Sequence, residues 1–544
     1  MTTSTAQPAR LSERGKPRNA GKHSTRTLPK PPRPIRYTWS KADFISTAII
    51  AVLALFTRFI GLTAPVSKGT PVFDEKHYVP QAWDMVKSWD NLLIGGIESN
   101  PGYGLVVHPP LAKQIIALSE HLFGYTPMGW RFFTALFGVG VVLLIMDIAR
   151  QLSNSWQVAA FAGFIAVCDG VLLVSSKFGL LDIFQVLFIV GAAWALVHDH
   201  NQVRLRLHDA FLGRNKGGNL GSSIFGPRIG FRWWRFTAGV MLGLALSVKW
   251  SGLYYIFFFG LMSVFGDLAL RRRYGIKNYV TGTLLRDTPA ALASLVAVPI
   301  ALYTWSWRAW FSSETAVYRH AKSDGTIEDS SWLQLLPEAI AGWFHYHWSV
   351  LQFHSELTTS AGHVHPWDSK PWAWLVSARP ILYFSSTGLE CGGEADATCR
   401  RMLFIFGTPI IWWFIVPALL WSLWCIFIRK DRRFTVPVVG FAAGFLPWIA
   451  NMDRQMYFFY AVAFIPFIIV IYGLILGQIV GRGDTVLQRF KSKDHPLNIS
   501  WGSFAAAIYL AAVLAMFIYF SPILYGYKVS DSWYESLMWL PSWK

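Results

Sequence analysis

RFFTALFGVGVVLLIMDIA (131–149) carries a cation at its first residue, an acid near its last, and nothing charged between them. A bilayer core about 30 Å thick takes roughly 20 apolar residues of helix, so this stretch reads as a membrane span. Comparable runs stand at 43–61, 157–175, 181–198, 236–248, 252–270, 288–306, 403–428, 434–450, 456–480 and 502–523. Together they predict about eleven transmembrane helices. The run 236–248 is the weakest of them, because Lys249 cuts the apolar stretch 236–270 in two. Composition points the same way. The chain is 53% hydrophobic and 15% charged, where soluble domains average about 25% charged. It therefore reads as an all-α polytopic membrane protein.

The net charge of +18 would suit nucleic acid, but its placement argues against that partner. Basic residues crowd the tail 1–41, the segment 201–235, RRRYGIK (271–277), RKDRR (429–433) and 482–493. Counting spans puts all of these on one side, and the positive-inside rule makes that side cytoplasmic, N-terminus included. The tail has no apolar period and reads as disordered. Membrane lipids of anionic character are its natural neighbour. The loops 62–130 and 307–401 then face outward, as do the short turn at Asn451 and the end of a C-terminal four-helix part (402–544). Cys168 and Cys425 sit in apolar runs. Cys391 and Cys399 flank a short polar stretch; facing outward they suit a disulfide, with two free thiols as the other reading. No Gly-rich phosphate loop is visible, and no cofactor is expected.

Chemistry gathers in the outward segments. PVFDEKHYVPQAWDMVKSW (71–89) places adjacent acids, Asp74 and Glu75, ahead of Val79, Ala82, Trp83, Val86 and Trp89 at helical spacing. The pattern predicts an interfacial amphipathic helix with the acids at its start. Asp74 there is either a helix cap or a general base for a weak hydroxyl nucleophile. An acid pair also suits Mg²⁺ or Ca²⁺, although the scheme below needs no metal. His108 and Lys113 lie in VVHPPLAK (106–113), which reads as a rigid turn or as a substrate contact. Arg58, Arg131, Lys249 and Arg454 map to the outward ends of spans, where each would snorkel or all would hold an anionic leaving group. SSKFGLLDIFQ (175–185) adds Lys177 and Asp182, and CDG (168–170) adds Asp169. The second loop holds HYHW (345–348), FHSEL (353–357) and HVHPWDSKPWAW (363–374). The last segment, with His365, Trp367 and Lys370, reads as a sugar- or peptide-binding surface.

The motifs VFDEKHY, VVHPPLAK, GWRFFTALFG, LLDIF, SVKWSGLY, HPWDSKPWAW, DRQMYFFYA and WLPSW occur in this order. With them the chain resembles the protein O-mannosyltransferase family, in particular its actinobacterial members, from about residue 43 to the C-terminus. The resemblance implies a GT-C glycosyltransferase fold in the cell membrane with its active site on the outer face. It implies a polyprenyl phosphomannose donor, Ser/Thr hydroxyls of secreted proteins as acceptors, inversion at the sugar, and proximity to the secretion translocon. The family's proposed base maps onto Asp74, with Glu75 beside it, and its span arginines map onto Arg58 and Arg131. Two positions depart from the pattern: Val106 stands where eukaryotic members often have an acid, and Lys177 where many have Arg. The second outward loop is also too short for the extra sugar-binding-type domain of eukaryotic members. A lipid- or glycan-acceptor glycosyltransferase shares the same acid and cations. A lipid-linked sugar transporter is the other alternative, but repeats or midplane breaks would be expected of it.

Overall fold

The computed structural model describes residues 38–89, 91, 93–98, 107–213, 223–391, 398–483 and 501–544. Most of the basic tail, Val106 and the centre of the Cys391–Cys399 stretch lie outside them. The first half of the chain forms α1 (Lys41–Phe59), α2 (Glu75–Lys87), α3 (Leu111–Phe123), α4 (Pro127–Ser153), α5 (Trp156–Val167), α6 (Gly170–Ser175), α7 (Asp182–Phe211), α8 (Trp233–Val248) and α9 (Gly252–Arg273). Among the described residues, seven helices are long and apolar enough to cross a membrane, and three shorter apolar helices accompany them. The later long helices are Thr288–Ser306, Pro409–Phe427 and Trp501–Tyr525. Thr435–Ile449 and Ile465–Val480 stand beside them.

Local chemistry sets the boundaries. Ser40 and Asp43 close a capping box on α1, which satisfies otherwise orphaned amides. Thr126 caps α4, with Pro127 at its first position. The run 157–175 is not one helix: it breaks at Cys168–Asp169. Asp169 accepts from Leu172 N at 2.8 Å and from Trp412 Nε1 at 2.7 Å, so this acid is the cap of α6. Thr408 Oγ1 donates to the Cys168 carbonyl at 2.8 Å across the same break. Lys249 takes an extended conformation, φ −149° and ψ 144°, and separates α8 from α9.

Two further apolar runs differ from expectation. Leu403–Ile405 end a strand, and a helix begins only at Pro409. The run 456–480 opens with a 3₁₀ turn, Phe458–Ala463. The strand belongs to an antiparallel sheet that an all-helical reading omits: β1 (Ile381–Glu390), β2 (Thr398–Ile405) and β3 (Lys528–Ser530), in that order. The β1–β2 register pairs Ile381 with Ile405 and Leu389 with Cys399. Cys391 and Cys399 are joined as a disulfide, while Cys168 and Cys425 are buried free thiols.

The expected amphipathic helix is α2, but its apolar side turns into the protein. Val79, Ala82 and Met85 are buried, and α2 packs on α3. At the other end of the body several basic residues serve as internal counter-ions. Arg232 bridges Asp199 and Asp267, and Arg271 Nε meets Asp287 at 2.5 Å. Such buried cations need their acids, since an unpaired charge there is costly.

Candidate active site

The two adjacent acids part company at the start of α2. Glu75 is fully buried, with both oxygens engaged by Arg131: Nε donates to Oε1 and Nη2 to Oε2, each at 2.7 Å. Gly179 N at 2.8 Å and Val72 N at 3.1 Å complete the carboxylate's shell. Arg131 also donates from Nη1 to the Leu62 carbonyl and from Nη2 to the Pro65 carbonyl, and lies 4.5 Å over the Phe178 ring. A bidentate pair of this kind leaves the carboxylate no free lone pair for a substrate proton, and the guanidinium is fully buried behind it. This geometry favours a structural role for Glu75 and Arg131 over the expected catalytic and phosphate-binding ones. Together they form a clamp that ties α2, α4 and the turn before α7.

Asp74 makes no capping bond, so the helix-cap reading does not hold. It remains half-buried rather than sealed. The residue before it, Phe73, sits in the left-handed region at φ 51°, a conformation costly to an aromatic residue. Stacking of Phe73 on Tyr383, with centroids 4.1 Å apart and planes 15° apart, holds it there. This turn sends Asp74 to one side and Glu75 to the other. Burial pushes the Asp74 carboxyl up to about 6, against the pull of Lys249 and His77 and with help from Asp182.

Lys249 reaches Asp74's surroundings through the α8–α9 break. Its Nζ meets Asp182 Oδ1 at 2.8 Å and lies 5.7 Å over the Phe459 ring. Gln185, one turn into α7, donates to the Lys249 carbonyl at 2.9 Å and fixes the break. Arg454 stands on the same side. Its Nη1 donates to the His354 carbonyl at 3.1 Å and its Nη2 faces His354 Nδ1 at 3.2 Å. Its buried Nε has no partner. Among the described residues no carboxylate pairs with Arg454. His108 is held neutral: burial and then the nearby Lys249 push its pKa well below the usual histidine value. Its ring lies 6.1 Å from Tyr78 and 5.9 Å from His354.

Asp74, Asp182, Lys249, His108 and Arg454 thus meet in one site. Sequence reasoning quoted the segment FHSEL without giving His354 a role, and gave none to the tyrosines around the acids, Tyr78, Tyr383 and Tyr460. The repeated Tyr and His in these outward segments were the available signal.

Other expected residues lie elsewhere. Arg58 is buried, donating to Thr57 Oγ1 at 2.9 Å and to the Ala166 carbonyl at 3.1 Å, so it serves the α1–α5 contact rather than this cluster. Lys177 donates to the Arg58 carbonyl at 3.2 Å. Lys370 holds Asp368 at 3.1 Å and the Arg454 carbonyl at 2.9 Å. It anchors the Arg454 turn instead of offering a free ammonium. His365 accepts from its neighbour Trp367 N at 3.1 Å and abuts Tyr457 with centroids 5.3 Å apart. Trp367 packs on Phe404 under Arg379.

Lys113 is only 1% exposed and is ion-paired with Glu98. Lys113→Met should therefore act on stability. Stranding Glu98 is expected to cost about 3 kcal/mol. The thermal midpoint in detergent should fall, and the Glu98→Gln, Lys113→Met pair should recover most of the loss.

The helical membrane body thus gathers a raised carboxylate, Lys249 held by Asp182, and Arg454 without a described carboxylate, an arrangement that fits the GT-C glycosyltransferase fold. A family model described as the C-terminal four TMM region of protein-O-mannosyltransferase matches residues 339–543. Another, described as dolichyl-phosphate-mannose-protein mannosyltransferase, matches residues 107–208. The chain is 61% identical over 514 residues to the polyprenol-phosphate-mannose–protein mannosyltransferase of Corynebacterium glutamicum, covering 94% of this chain and 96% of that one. Identity to the Mycobacterium tuberculosis protein of the same name is 42% over 501 residues, with 92% of each covered. The S. cerevisiae protein O-mannosyltransferase Pmt1–Pmt2 complex bound to the sugar donor shares the fold, with a TM-score of 0.68 at 17% identity over 93% of each chain. The chain belongs to the polyprenol-phosphate-mannose–protein mannosyltransferase family, and it is a multi-pass membrane glycosyltransferase.

Proposed function

We propose that the chain moves mannose from polyprenyl phosphomannose to Ser/Thr hydroxyls of secreted proteins at the outer face of the cell membrane, beside the translocon that delivers them. The observation that carries this is Asp74, the acid of the cluster left without a capping bond. Burial lifts it to about 6, and Lys249 is near enough to pull on it. A general base works best with a pKa near the working pH.

In this reaction the acceptor Oγ attacks C1 of the sugar from the face opposite the lipid phosphate. The new C1–Oγ bond forms as the C1–O bond to phosphate breaks. The hydroxyl proton passes to Asp74, and the electron pair leaves with the polyprenyl phosphate. Lys249 and Arg454 stabilise the charge that grows on the departing phosphate, and Asp182 aims Lys249. A single displacement turns a β-linked donor into an α-linked product. His108 borders the acceptor side. The basic clusters opposite support the orientation with the N-terminus in the cytoplasm.

The test supplies membranes holding the protein with labelled polyprenyl phosphomannose, offering a Ser/Thr/Pro-rich peptide and, separately, lipid acceptors. Label should reach the peptide as an alkali-labile α-mannoside. Label found only in lipid would replace this assignment with a lipid-acceptor transferase.

A further inference from the structure

His354 lies where three separate parts of the chain meet. It is in the last turn of the helix Glu338–Glu356. Its Nε2 faces the Val107 carbonyl at 3.3 Å, in the loop that carries His108. Its Nδ1 faces Arg454 Nη2 at 3.2 Å, and its own carbonyl takes Arg454 Nη1 at 3.1 Å. The partners decide the tautomer. A carbonyl can only accept, so Nε2 carries the proton; a guanidinium can only donate, so Nδ1 presents its lone pair. Protonating Nδ1 would set two donors against each other. Burial, with Arg454 and Lys249 nearby, pushes the His354 pKa down to about 4, consistent with the neutral ring that the geometry demands.

Tyr460 also hydrogen-bonds the Arg454 side chain. The Arg454 backbone is tied down through Gln455 N to the Leu357 carbonyl at 3.1 Å and through Lys370 to its own carbonyl. His354 meets the guanidinium through both its ring and its carbonyl, and among the described residues Nε stays buried without a partner.

We propose that His354 is a positioning residue for the transfer reaction. As the neutral Nε2–H tautomer it orients the Arg454 guanidinium toward the donor phosphate and, through the Val107 carbonyl, couples that cation to the loop bearing His108. The inference rests on the function proposed above, because it needs an anionic leaving group at Arg454.

The two ring nitrogens can be separated by substitution. The side-chain oxygen of His354→Asn overlays Nδ1 and keeps an acceptor for Arg454, whereas the amide of His354→Gln overlays Nε2 and keeps a donor for Val107. Kinetics would be measured on the full-length protein with polyprenyl phosphomannose and a Ser/Thr/Pro-rich peptide, with KM read for each. Loss of a hydrogen bond to a charged group predicts a fall of about 30-fold in kcat/KM for the donor in His354→Ala. His354→Asn should restore the donor-side value to within about threefold while the acceptor-side loss persists. His354→Gln should do the reverse. The proposal is overturned if His354→Ala matches wild type on both substrates, or if the Asn and Gln variants give one common pattern, as a packing role would. Asp74→Asn run alongside keeps the failures apart. An active Asp74→Asn removes the underlying function, whereas an inactive one beside unaffected His354 variants removes only this inference.

Discussion

Asp74→Asn is expected to lower kcat for mannosyl transfer by about a thousandfold, the middle of the range for loss of a positioned base. The change is nearly isosteric and removes only the ability to take a proton. Donor binding should persist, because Lys249 keeps Asp182 and Arg454 keeps His354. KM for the donor should therefore move little, and the loss should fall on kcat. Stability should not suffer. A carboxyl whose folded pKa of about 6 lies above the ordinary 3.8 costs the fold stability as the pH rises from about 4 to about 6, and the full penalty persists at neutral pH. Asn carries no such penalty, so the thermal midpoint at neutral pH should hold or rise. A variant equally inactive but poorly folded would contradict this account.

Glu75→Gln is expected to fail in the opposite way. The carboxylate has Arg131 on both oxygens and two backbone amides besides, all fully buried. Removing its charge strands Arg131 in a sealed site, and breaking a buried pair costs about 3–5 kcal/mol. Folded yield and thermal midpoint should drop together with activity, and Arg131→Gln should do the same from the other side. Residual activity per folded molecule should exceed that of Asp74→Asn by a wide margin. Thermal unfolding in detergent, run beside the transfer assay, separates the two acids: Asp74 variants lose rate without stability, and Glu75 variants lose stability first.

That division was not legible in the sequence. Asp74 and Glu75 are neighbours at a helix start, and which one faces inward depends on the left-handed Phe73, whose conformation no spacing announces. Arg131 looked like a free cation at the mouth of a span because its partner lies 56 positions away in the chain. Lys113 failed for the same reason, with Glu98 hidden across a loop. Periodicity did reveal the membrane helices, since twenty apolar residues leave few alternatives. It could not separate strand from helix in the short run Leu403–Ile405. The acids and cations that converge, Asp74, Asp182, Lys249 and Arg454, were visible because charges at span ends usually need a partner or a purpose. His354 was not, because its meaning lies in two contacts with distant segments.

The most direct test of the central claim, that Asp74 with its raised pKa is the base, is the pH dependence of kcat/KM for peptide mannosylation by the wild-type protein. The base must be ionised, so the rate should be level above neutrality and fall about tenfold per pH unit below an apparent pKa near 6. The neutral His354 and His108 titrate well below that point. The same limb should survive in His77→Gln, which removes the other nearby titratable ring. A profile that stays flat down to about pH 4, or a limb near 6 that disappears with His77, would contradict the assignment of Asp74 as the base.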